Sequence, residues 1–67
     1  MTVVIAWELK SGAHCIENRP DGDLATRIEG LYKNSRVKSA EAWRVGARHE
    51  IIGEVWVNNG KRTWWSL

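Results

Sequence analysis

The segment EVWVNNGKRTWWSL, residues 54–67, places Asn59-Gly60 between two alternating runs, and no other short pattern signals a β-hairpin as strongly. Pairing Asn58 with Lys61 sets Val55 opposite Trp64, Trp56 opposite Thr63 and Glu54 opposite Trp65. Successive strand residues point to opposite faces, so Trp64 and Trp65 cannot share one core. One hairpin face then carries Ile51, Gly53, Val55, Val57 and Trp64. The other carries Ile52, Glu54, Trp56, Thr63, Trp65 and Leu67.

Upstream, TVVIAWEL alternates Val3, Ile5, Trp7 and Leu9 with Val4, Ala6 and Glu8, and reads as a strand buried on much of both faces. After the turn KSG, AHCIEN returns as a second strand. RPDGD breaks extended structure with Pro20, Gly22 and two aspartates suited to helix capping. DLATRIEGLYK then sets Leu24, Ile28 and Leu31 on one helical stripe, with Ala25 and Tyr32 alongside. Gly30 weakens that helix by roughly 1 kcal/mol relative to Ala, so the sheet must hold it. VKSAEAWRVG follows as a strand. Turning Ala40 and Ala42 inward is its cheaper parity, because the other buries Glu41.

The order strand, strand, helix, strand, strand, strand predicts one α+β domain over residues 1–67, an antiparallel sheet with a helix packed on one face. A single helix covers a single face. Ile51, Gly53, Val55, Val57 and Trp64 suit the covered side, with Gly53 giving the helix room, and Leu24, Ile28, Leu31, Val55 and Trp64 are the expected core. Trp56, Trp65, Thr63, Ile52, Leu67 and Lys61 are left on the open side as the candidate partner-binding surface.

A chain of 67 residues buries only about 60% of the surface its unfolded form exposes. Cys15 is the only cysteine, which excludes an internal disulfide or a thiolate zinc cluster and points to a cytoplasmic setting. The start MTVVIAWELK has neither the basic region nor the cleavage site of a signal peptide, and no apolar run is long enough for a membrane helix, so a soluble, whole protein is expected. Five Trp and no Phe favour surfaces where an apolar body also meets water or a partner.

Charge is unevenly spread. Lys10, Arg19 and Arg27 against Glu8, Glu17, Asp21, Asp23 and Glu29 leave residues 1–32 at −2; Lys33, Arg36, Lys38, Arg44, Arg48, Lys61 and Arg62 against Glu41, Glu50 and Glu54 leave residues 33–67 at +4. Arg36, Lys38, Arg44, Arg48 and Arg62 are therefore candidate secondary contacts to an acidic partner. The plainer reading makes Lys38, Lys61 and Arg62 solvated charges that discourage edge pairing.

Catalytic chemistry finds little support. His14 and Cys15 are neighbours on a strand and point apart, so no metal or thiol-imidazole site is expected of them, even with His49 in the chain. Glu41 and Glu54 read as isolated carboxylates, Asp21 and Asp23 as helix caps. No nucleophile elbow, phosphate loop or dinucleotide fingerprint is present. A non-enzymatic protein without cofactor or metal is expected.

The terminal hairpin, with Trp56, Gly60, Lys61, Arg62 and Trp64, and the order of elements resemble small phage-encoded inhibitors, including some type I anti-CRISPR proteins. That resemblance implies a non-catalytic phage or mobile-element inhibitor or adaptor, cytoplasmic in its host, that blocks a protein surface of a host or defence complex. The alternative is a single-stranded nucleic-acid binder that stacks bases on the same Trp face. A homodimer through Trp56 and Trp65, or a monomer that offers them to its partner, completes the expectations, with no membrane involved.

Overall fold

The computed structural model describes residues 1–67. Strands β1 (Thr2–Leu9) and β2 (His14–Pro20) lead through a 3₁₀ turn, Asp21–Asp23, into α1 (Leu24–Lys33); β3 (Val37–Arg44), β4 (Ile51–Asn58) and β5 (Lys61–Ser66) follow. The five strands form one antiparallel sheet in the order β2-β1-β3-β4-β5. Chain neighbours pair as hairpins except where α1 intervenes, and there β3 returns to the free side of β1.

The β4–β5 hairpin has the register its turn dictates, with Asn58 opposite Lys61, Val55 opposite Trp64 and Glu54 opposite Trp65. Asn59 and Gly60 both take positive φ, 54° and 77°, the conformation that Asn-Gly tolerates and most residues resist.

Helix α1 lies across one face of the sheet. Its stripe of Leu24, Ile28 and Leu31 is buried against Val3, Ile5, Val37, Ala40, Ala42, Ile52 and Val55, with Trp7, Leu9, Tyr32 and Trp64 packed around this cluster. Ala40 and Ala42 do face the helix. Gly53 lies under it, where an added Cβ would sit 3.2 Å from Ile28 Cγ1. Trp64 is half-buried at the margin, with its ring centroid 6.2 Å from that of Tyr32.

The start of β4 departs from simple alternation. Ala42 pairs with Gly53 but Trp43 pairs with Ile51, so Ile52 has no partner on β3. This bulge inserts one residue and reverses the face of what precedes it. Ile52 therefore belongs to the core, at 2% exposure, and not to the open face. Ile51, expected beneath the helix, shares the open face with Trp43.

One further expectation is corrected. Asp21 and Asp23 do not cap α1: Asp23 occupies the N-cap position with helical backbone and makes no side-chain cap bond, because the 3₁₀ turn already winds the chain into the helix. Extended structure stops where RPDGD begins its break, with Pro20 as the last residue of β2. On an edge strand proline forfeits no ladder bond, and Asp21 N–H donates to Met1 O at 3.0 Å to close the pairing.

The helix C-terminus is held from β5. Arg62 faces α1, and its guanidinium donates to the carbonyls of Leu31 (3.1 Å), Tyr32 (2.6 Å), Asn34 (3.2 Å) and Val37. The last carbonyls of a helix lack intrahelical donors, and a cation there also suits the helix dipole. Arg62 is thus a structural tie, not a solvated edge charge.

Candidate partner-binding face

The sheet face away from α1 carries no covering element. Register orders its side chains into rows across the strands. One row runs Asn18, Val4, Trp43, Ile51; the next runs Ile16, Ala6, Glu41, Glu54, Trp65. His14, Glu8 and Ser39 begin a third, which Trp56 and Thr63 continue on β4 and β5. Three tryptophans from three strands thus share one open surface, together with Ile51 and the exposed Ile16.

Of the residues singled out from sequence, Trp56, Trp65, Thr63 and Lys61 lie on this face, and Leu67 follows β5 exposed. Trp65 is 37% exposed, enough to touch a partner without leaving the sheet. Its indole Nε1–H donates to Glu54 Oε1 at 3.3 Å, which fixes the ring against its cross-strand neighbour. Trp43 follows the inward Ala42 and so points away from the helix, but its place beside the hairpin needs the strand order, which puts β3 next to β4.

The carboxylates are the second addition. Glu41 and Glu54, which look isolated along the chain, are direct cross-strand partners. Glu8 stands on the adjacent β1, one row away from Glu41. Like charges directly opposite are destabilising in a sheet, so this arrangement opposes stability. Compensation is thin. Arg48 Nη2 is 4.0 Å from Glu41 Oε1, Lys38 Nζ is 3.9 Å from Glu8 Oε2, and both cations are more than 60% exposed. Such pairs contribute about 0–1 kcal/mol. Arg48 also stacks over Trp43, 4.1 Å from the ring centroid.

The five candidate basic contacts do not converge. Lys38 and Arg48 serve the open face, Arg62 ties down α1, and Arg44 sits at the end of β3 on the helix side, level with Val3 and Arg19. Arg36 lies in the turn before β3, where its N–H donates to Asn34 Oδ1 at 3.0 Å. His14 and Cys15 occupy opposite faces of β2, His14 exposed and Cys15 half-buried on the helix side, and no cluster of three potential metal ligands forms.

On the helix side a separate cluster joins β2 to α1. Glu17 Oε1 accepts from Arg27 Nε at 2.6 Å and Arg19 Nε at 2.9 Å, while Arg27 lies 5.1 Å over the Trp7 ring. Burial pushes the Glu17 carboxyl up, but the hydrogen bonds and charges of Arg27 and Arg19 outweigh it and hold the group below its ordinary value. These groups are mutually occupied and fasten the edge strand to the helix.

No protein-family model, curated protein or solved structure matches this chain. No helix is long and apolar enough to cross a membrane.

Proposed function

We propose that the protein is a small non-catalytic binding protein that acts through its open sheet face, with Trp43, Trp56 and Trp65 as anchors for a protein partner. The observation that carries this reading is a whole aromatic-bearing sheet face left without a covering layer in a chain whose one helix is already committed. Binding hot spots are enriched in Trp, and a sheet face gives its rings fixed positions at little entropic cost. The role of phage or mobile-element inhibitor or adaptor, cytoplasmic in its host, comes from the resemblance of the terminal hairpin and is proposed on that ground.

Single-stranded nucleic acid on the same face is the weaker reading. Stacking platforms pair aromatic rings with cations that hold phosphates, whereas here the rings surround Glu41 and Glu54. Affinity capture from a host lysate, with and without nuclease, separates the two. Nuclease-resistant capture of a protein by the wild type, lost in a folded Trp65→Lys variant, is the expected result; capture of nucleic acid that depends on Trp65 would reverse the order.

A further inference from the structure

The open face is dished over β2, β1 and β3. The small side chain of Ala6 floors a shallow hollow of about 420 Å³, ringed by Ile16 and His14 from β2, Glu8 from β1, and Ser39 and Glu41 from β3. Its bottom is apolar and its rim is acidic. The nearest cations approach Glu8 and Glu41 only at 3.9 and 4.0 Å from exposed ends, so neither pair is held firmly.

We propose that this hollow receives a long cationic side chain, arginine or lysine, from the partner protein; the proposal rests on the open face being a protein-binding surface. The geometry suits such a guest part by part. An aliphatic stem crosses the Ala6 methyl and the Ile16 side chain, as the stems of Lys and Arg do over apolar surface, and the charged head ends between Glu8 and Glu41. Lys38 swings into solvent and Arg48 lets go of Glu41 at little cost, Arg48 keeping its stack on Trp43, because exposed ion pairs at this separation contribute almost nothing. Glu54, cross-strand to Glu41, adds a third negative charge that steers the same guest. A phosphate backbone would meet that charge as repulsion. A second copy stacked two-fold about the hollow would set this carboxylate row against its own image. The occupant is therefore a basic protein surface.

The test is an NMR titration of the ¹⁵N-labelled chain with a short peptide of alternating Arg and Gly. The same peptide with Glu for Arg, and a thymidine oligonucleotide, serve as controls. Amide shifts at Ala6, Glu8, Ile16 and Glu41 with the Arg peptide alone, weakening as salt rises, are expected. The double variant Glu8→Gln, Glu41→Gln keeps the shape and should bind the peptide roughly fivefold more weakly or worse. Ala6→Leu, which fills the hollow, should block it while the spectrum stays dispersed. Arg-peptide shifts elsewhere or nowhere, unchanged affinity in the double variant, or the oligonucleotide moving the same amides would each overturn the proposal. If the peptide fails while Trp65→Lys still abolishes capture from lysate, the open face stands as a binding surface and only the cationic guest is removed.

Discussion

Arg62 concentrates more structural consequence than any other polar side chain in the molecule. A planar fork reaches four carbonyls at once, and the flexible point charge of lysine cannot reproduce it. Replacing Arg62 by Ala strands the end of α1 and should cost about 2 to 3 kcal/mol, with Lys recovering only part. Urea melts of the three proteins would show it; equal midpoints would mean that water satisfies these carbonyls as well as the guanidinium does. Glu17 makes a second residue-scale case. A carboxyl held below its ordinary value stabilises the fold above the unfolded-state value, near 4.5, and that contribution fades as the pH falls through the lower folded-state value. Stability should therefore fall on acidification below about pH 4.5. A Glu17→Gln variant should be less stable at neutral pH and lose less on acidification; parallel pH profiles would refute the assignment.

At the scale of elements, α1 depends on its tertiary seat. Ile28 is fully buried over Gly53, so Ile28→Ala should cost about 2 to 5 kcal/mol and unfold most of so small a domain. An unchanged melting temperature would be incompatible with the helix-on-sheet packing. Gly30 is the opposite kind of site, exposed, with nothing within 4 Å of an added Cβ. Gly30→Ala should stabilise by about 0.5 to 1 kcal/mol, read as a raised denaturation midpoint. Element identity was legible in the sequence because periodicity and the Asn-Gly turn are local signals. Face assignment followed wherever alternation ran unbroken, as in β5 and the core half of β3. It failed at Ile51 and Ile52, since a bulge is a property of two paired strands and leaves no mark on one. The 3₁₀ turn at Asp21–Asp23 was misread for a related reason: cap-forming residue types are visible, but whether their side chains are used depends on the angle at which β2 delivers the chain.

For the molecule as a whole, the covered face was readable and the open face only half so. Trp56 and Trp65 were placed by the hairpin alone, whereas their joining with Trp43, Glu8 and Glu41 required knowing that β3 lies between β1 and β4. That strand order also changes the chemistry, since it brings Glu8 and Glu41 beside Glu54 on a face where the hairpin alone shows two tryptophans and Lys61. Trp65→Lys should leave the fold intact, because the side chain stands outside the core, and should abolish partner binding or any self-association through this face. Light scattering, together with quenching of tryptophan emission by a soluble quencher, reads both outcomes. Unchanged mass and unchanged binding in a folded variant would mean that the face is not an interface.

The tie from β5 to α1 has a consequence for biosynthesis. Residues 24–33 leave the ribosome before Arg62 does, so the nascent helix waits, without its guanidinium tie and with its apolar stripe half-covered, until β5 has emerged. Domains that finish their contacts early can fold as they emerge, but this one closes only once β5 has cleared the exit tunnel. A ribosome stalled a few residues past Leu67 should hold a chain that proteases still cut within α1, and full resistance should appear once a longer C-terminal extension carries Arg62 clear of the exit tunnel.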